Sequence, residues 1–135
     1  MFLQPKKTKY RKIKKGRLRN FDFKNTKIKF GEVGLKSKMS GTLSARQLEA
    51  TRRAIVKKLQ KKGKLWTKVF PSTPITNKPS ESRMGKGKGT VSFWGIRVAK
   101  GCVLFEICGV PLKTAREAFL AGSHKLPVKT KIIYQ

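Results

Sequence analysis

The sequence predicts an α+β fold: two helices packed on a mixed or antiparallel sheet, with a basic N-terminal extension and a long Gly/Lys loop. Three observations carry this. Two stretches, 44–63 and 111–122, place apolar residues at helical spacing. Five short runs rich in β-branched and aromatic residues flank them. Between the second and third of those runs lies a Pro- and Gly-rich stretch with almost nothing to bury.

Residues 1–24 read as an arm. From Lys6 to Arg19 there are nine cations and no acid, and only Tyr10, Ile13 and Leu18 offer apolar surface. The arm is expected to be extended or irregular. Tyr10, Phe21 and Phe23 are free either to pack on the domain edge, the simpler role, or to stack on bases. Lys27-Ile-Lys-Phe-Gly31 alternates cation and apolar residue and predicts a strand running on toward Leu35. Residues 36–41 form a turn-rich connection.

Ser44-Ala-Arg-Gln47 fits a capping box, with Leu48, Thr51, Ile55 and Leu59 following on one face and Gly63 as the stop. The opposite face carries Arg46, Arg53, Lys57 and Lys61, and Glu49 is spaced to pair with Arg53. Leu65–Phe70 is the next strand, ended by Pro71. The stretch 71–90 holds Pro71, Pro74 and Pro79 and then Arg83-Met-Gly-Lys-Gly-Lys-Gly89. Its prolines stiffen the base and its glycines free the tip. A loop of that length in a small domain is usually functional or disordered, and the stiff base with a free tip favours function. Val91–Ala99 and Cys102–Cys108 are expected to form a hairpin across Lys100-Gly101, in the middle of the sheet. Residues 111–122 form the second helix with Leu112, Ala115 and Phe119 inward, and 125–134 the last strand. The chain therefore divides into an arm, 1–24, and a single domain, 25–135, carrying the loop 71–90.

Charge restricts the function. The formal net charge is +28 over 135 residues, from 34 Lys+Arg against six Asp+Glu. So one-sided a balance repels itself unless a partner supplies counter-charge, and phosphate backbone is the densest common source. No apolar run approaches the roughly 20 residues of a membrane helix, and no membrane partner is expected. The opening residues Met1–Pro5 lack a secretory core, and 6–20 lack the apolar stripe of a mitochondrial presequence, so the arm reads as part of the mature protein.

Enzymatic readings fail on residue supply. The glycines at 85, 87 and 89 fit neither a P-loop nor a dinucleotide fingerprint. Asp22 is the one aspartate and His124 the one histidine, which leaves no Ser-His-Asp set. Glu49 and Glu117 sit beside cations on helices, where each neutralises a neighbour, and Glu106 on an apolar strand calls for a basic partner. Cys102 and Cys108 with one histidine cannot furnish a four-ligand zinc site; on one strand they would lie about 20 Å apart, too far to bridge. They are expected as reduced thiols, and no metal or cofactor is expected. Zinc-finger, helix-turn-helix, basic-zipper and RNA-recognition signatures are absent. Cations distributed over arm, helix, loop and last strand suit a folded RNA better than a linear duplex.

Several segments together resemble one family. They are Leu3-Gln-Pro-Lys-Lys-Thr-Lys-Tyr-Arg-Lys12, Gly41-Thr-Leu-Ser-Ala-Arg-Gln-Leu-Glu-Ala50 with Arg52-Arg53-Ala54, Gly63-Lys-Leu-Trp-Thr-Lys-Val-Phe-Pro71, Pro74-Ile-Thr-Asn-Lys-Pro79, the 83–89 run, Ala115-Arg-Glu-Ala-Phe119 and Lys125-Leu-Pro127. In this order and over almost the whole chain, they resemble the large-subunit ribosomal protein L-sixteen family, kin of the L-ten-e proteins. The chain departs from the pattern at Cys108, where an acid is usual, at Ser40 and Thr42, which replace cations, and over 17–26.

The resemblance implies an α/β-hammerhead type of fold and a non-catalytic place beside the peptidyl-transferase region. Its partners would be large-subunit rRNA, neighbouring large-subunit proteins and aminoacyl (A-site) tRNA, with peptidyl (P-site) tRNA as a further candidate; no homo-oligomer is expected. Arg83, Met84, Gly85, Lys86, Gly87, Lys88 and Gly89 would be the tRNA-proximal finger. The rRNA-binding set would be Lys6, Lys7, Lys9, Tyr10, Arg11, Lys12, Lys14, Lys15 and Arg17 in the arm, with Arg46, Arg52, Arg53, Lys57 and Lys64 in the domain. A free nucleic-acid-compacting basic protein is the competing reading. With 25 Lys against nine Arg and many Ile, Phe and Asn, the composition suggests an AT-rich, organelle-encoded gene: mitochondrion first, then plastid, then a bacterial cytosol.

Overall fold

The structure is a computed structural model that describes residues 3–18 and 20–135; Met1, Phe2 and Arg19 of the expected arm lie outside the described residues. Its elements run β1 (Val33–Ser37), β2 (Gly41–Ser44), α1 (Ala45–Leu59), β3 (Lys64–Thr67), β4 (Thr73–Asn77), β5 (Thr90–Val98), β6 (Val103–Cys108), α2 (Leu112–Ser123) and β7 (Thr130–Tyr134). The class is the expected two-helix α+β, but the strands divide between two sheets. One has the order β3-β6-β1-β7, the other β2-β5-β4, and every pairing within them is antiparallel.

α1 forms where its local signals say it must. The Ser44 hydroxyl accepts a hydrogen bond from the Gln47 N–H (3.2 Å), and the Gln47 side chain accepts one from the Ser44 N–H (2.9 Å), satisfying two otherwise orphan donors of the first turn. Leu48, Thr51, Ile55 and Leu59 are its buried stripe. It stops at Gln60, which takes a left-handed conformation, three residues before the expected Gly63. α2 lies against α1, and Gly122 is the reason it can approach so closely: a Cβ there would come within 2.7 Å of Ile55 Cγ1. Its buried residues are Ala115, Ala118, Phe119 and Gly122; Leu112, expected inward, is exposed because the helix starts beyond the edge of the core.

One face of the four-stranded sheet, with Val33, Leu35, Phe105 and Ile107, belongs to the main core with both helices. Side chains alternate across a strand, so Gly34, Trp66 and Glu106 lie on the opposite face. The segment before β1 covers that face. This corrects the strand expected at 27–31. The N–H groups of Lys29, Phe30 and Gly31 turn instead to the fully buried Glu106 carboxylate, at 3.3, 2.7 and 3.1 Å. A buried carboxylate needs donors, and here the backbone supplies three. The expected basic partner is also present, Lys68 Nζ at 3.7 Å.

Two further expectations fail for one reason, non-local pairing. β5 and β6 do not form a hairpin: β5 is the middle strand of the small sheet and β6 an inner strand of the large one. The turn between them is tied to β1, with Gly101 N–H on the Ser37 carbonyl and Ser37 N–H on the Cys102 carbonyl, both at 2.9 Å. The stretch 71–90 is not all loop, since β4 pairs with β5 from Thr73 to Asn77. β4 is an edge strand, which is where Pro74 is tolerated. The connection 36–41 likewise ends in β2, and the last strand begins at Thr130 rather than Lys125.

Candidate nucleic-acid interface

The finger projects from the β4–β5 end of the small sheet. Residues 81–88 are all exposed, and Met84 is 99% exposed. Gly85, Lys86 and Gly87 all have positive φ, 95°, 51° and 82°, with open space around both glycines; this left-handed run curls the tip, and glycine adopts it without strain. At the base, a Cβ on Gly89 would collide with the Asn77 carbonyl, so glycine is required where the finger joins the sheet.

The finger is braced by lysine-to-carbonyl hydrogen bonds. Lys78 Nζ donates to the Gly85 carbonyl within the loop. Lys12 Nζ donates to the Lys88 carbonyl (2.8 Å), and Lys88 Nζ donates in return to the Ile13 carbonyl. The arm and the finger, predicted as separate cationic elements, thus meet. Arg83 and Lys86 at the tip form no hydrogen bond or ion pair among the described residues and remain open.

Of the predicted arm set, Lys6, Lys7, Lys9, Tyr10, Arg11, Lys12, Lys14, Lys15 and Arg17 are all exposed, and residues 3–18 carry no helix or strand. Lys9 Nζ lies 5.5 Å from the Tyr10 ring centroid. Leu3 and Pro5 are the exceptions to exposure within 3–18, and Leu3 packs against the core. Phe21 packs against the domain edge as expected, bridging to Lys100 and touching Gly101, while Phe23 stacks edge-on to it at 5.3 Å and is 84% exposed.

On α1, Arg46, Arg53 and Lys57 face outward. Arg52 and Arg53 are both held by Glu49: Arg52 in two-point fashion at 2.9 and 2.7 Å, Arg53 at 2.9 Å. The Arg52 hydrogen bonds, followed by Arg53, lower the Glu49 carboxyl to about 2. Glu49 thus neutralises two cations rather than the one predicted, whereas Glu117 makes no ion pair among the described residues. Lys61 lies past the helix end.

Lys64 leads to a feature that reasoning from sequence missed. Its ammonium lies 5.2 Å from the Trp66 ring centroid, and Trp66 stacks near-parallel (23°, 6.2 Å) with Phe30. Lys68 Nζ lies 4.1 Å from the Phe30 centroid. The alternation Lys64-x-Trp66-x-Lys68, three side chains on one strand face, was the available signal.

Cys102 and Cys108 are both free. Burial, then Asp22, pushes the Cys102 thiol up to about 12, and the bond Cys108 donates to Glu32 (3.1 Å) raises Cys108. Among the described residues no cluster of three or more His, Cys, Asp or Glu could hold a metal, and no helix is long and apolar enough to cross a membrane.

Comparison with known proteins agrees with this cation-studded α+β body. Residues 5–133 match the sequence profile of the family described as Ribosomal protein L16p/L10e. Relatives named large ribosomal subunit protein uL16 include those of Caulobacter vibrioides (strain NA1000 / CB15N), 48% identical, and Bartonella bacilliformis, 50% identical, each over 131 residues. These alignments span 97% of this chain and 92% and 96% of the respective relatives. The Maricaulis maris protein of the same name is 49% identical over an equal span. The chain therefore belongs to the L16p/L10e family, as a structural protein of the large ribosomal subunit and not an enzyme.

Proposed function

We propose that the protein binds large-subunit rRNA through its arm, residues 1–24, and the outer face of α1, and that its finger reaches the acceptor end of aminoacyl (A-site) tRNA near the peptidyl-transferase region. Peptidyl (P-site) tRNA is a second neighbour of the same finger. The rRNA carries the chemistry and the protein positions. The observation that carries this reading is the joined pair of exposed cationic segments: a finger exposed from Arg83 to Lys88 with open Arg83 and Lys86, fastened to the arm through Lys12 and Lys88. The other described lysines and arginines of the arm's predicted set are exposed and available to phosphates, and the domain 25–135 supplies the base.

Neutralising on the order of eight phosphates predicts that rRNA affinity falls with salt at a log–log slope of roughly −6 to −7. A salt-independent affinity would exclude the phosphate clamp. Replacing residues 82–89 with a short linker should leave rRNA binding largely intact and impair aminoacyl-tRNA accommodation on reconstituted subunits. Equal loss of both would make the finger one more rRNA anchor. A free nucleic-acid-compacting role predicts instead equal binding to DNA and RNA and no sedimentation with ribosomes.

We assign the ribosome to an organelle, the mitochondrion before the plastid, with a bacterial cytosol third. Support comes from the preponderance of Lys, 25 against nine Arg; the relatives compared above are bacterial. Identifying the ribosome with which the protein co-purifies decides the compartment.

A further inference from the structure

The β3 edge of the large sheet holds an aromatic pair that neither the arm nor the finger uses. Phe30 is 60% exposed, yet it is fixed in place by its own backbone. Its N–H donates to Glu106 at 2.7 Å, and the N–H groups on either side of it do the same. From the ring side, Lys68 bridges the Glu106 carboxylate (3.7 Å) and the Phe30 ring (4.1 Å), with its side chain only 12% exposed. A phenyl ring held this firmly but left uncovered is not core, and it is not a loose surface residue either. Trp66 extends it into a near-parallel pair, with Lys64 beside the indole.

From this we infer that Phe30 and Trp66 form a stacking platform for one unpaired RNA base, with Lys64 and the neighbouring exposed Lys27 and Lys29 taking the flanking phosphates. The inference deepens the rRNA-binding reading and rests on it. Charge complementarity selects the occupant. The cations Lys27, Lys29 and Lys64 are exposed there, while the nearby carboxylates are engaged, Glu106 as described and Glu32 by the Cys108 thiol. An unpaired nucleotide joins a flat π face to a phosphate, and base–aromatic stacking suits any base. A duplex hides its bases, and an acidic peptide has charge without a required ring.

The test uses the full-length chain with Trp94→Phe, so that Trp66 is the one remaining tryptophan. Single-stranded octaadenylate should quench Trp66 fluorescence, and an abasic oligoribonucleotide of equal length should not. Phe30→Ala should weaken octaadenylate binding about tenfold without changing its salt slope or the binding of the abasic strand. The Glu106 bonds use the backbone of residue 30, so this variant keeps the fold. Phe30→Leu, which retains apolar volume without a π system, should behave like Phe30→Ala, and Lys64→Ala should make the salt slope shallower by about one. Wild-type octaadenylate affinity in both Phe30 variants would overturn the platform and leave the salt-dependent phosphate reading standing. Equal quenching by octaglutamate would overturn it in favour of a protein contact. If neither oligonucleotide binds in a salt-dependent way, the phosphate reading fails and takes the platform with it.

Discussion

In the four-stranded sheet, β6 is buried at five of its six positions and β1 at four of its five. In the three-stranded sheet the first four residues of β5 are exposed, and only Gly95 and Val98 of its nine are buried. Both sheets are antiparallel and both have an interior strand rich in β-branched and aromatic residues. What separates them is cover. The large sheet has helices on one side and the 27–31 segment, held by Glu106, on the other. The small sheet runs out from under its cover toward the finger, trading burial for reach. Burial is thus concentrated in the large sheet and exposure in the small one, so altering the finger is expected to leave the body undisturbed.

The largest effect that sharpens this contrast is expected at Glu106. Glu106→Ala removes a buried carboxylate, strands three N–H donors and leaves Lys68 unpaired, a loss of about 3–5 kcal/mol by analogy with broken buried pairs. Chemical denaturation would measure it. A loss under about 1 kcal/mol would mean that the cover is not part of the body.

Next is Glu49. Its carboxyl lies well below its ordinary value of 4.5, so the stabilisation from Arg52 and Arg53 is complete above about pH 4.5 and declines as pH falls toward about 2. Glu49→Gln should lower stability by up to about 1 kcal/mol at neutral pH, and the difference from wild type should shrink as pH falls from about 4.5 and close only below about pH 2. A gap that persists there would contradict the ion-pair account. Smallest of all, excising 82–89 should change the unfolding free energy by less than about 0.5 kcal/mol, since nothing in that segment is buried. A larger loss would break the comparison itself and make the finger part of the fold.

The elements visible in the sequence were those specified locally. α1 has a capping box at one end and a clean apolar stripe, so its buried set of Leu48, Thr51, Ile55 and Leu59 could be read directly. β4 was hidden by prolines that only an edge position permits, and β2 by its four-residue length. The expected β5–β6 hairpin failed because the Lys100-Gly101 turn is real while the partners of both strands lie far away in sequence. The exposure of the arm and finger cations follows from charge alone. Their clasp through Lys12 and Lys88 does not, because a lysine bonding to a carbonyl 76 residues away leaves no local pattern. Phe30 and Trp66 were unreadable as a pair for the same reason: only the Glu106 anchor brings the segment before β1 over β3.

The position of β1 has a consequence for synthesis. Both of its neighbours, β6 and β7, come from the last third of the chain, and so does the carboxylate that fastens the cover. A nascent polypeptide therefore carries β1 with both edges unpaired until more than a hundred residues have emerged. Throughout that interval its strand edges are open to wrong partners, with the surrounding lysines and their mutual repulsion as the main safeguard against aggregation.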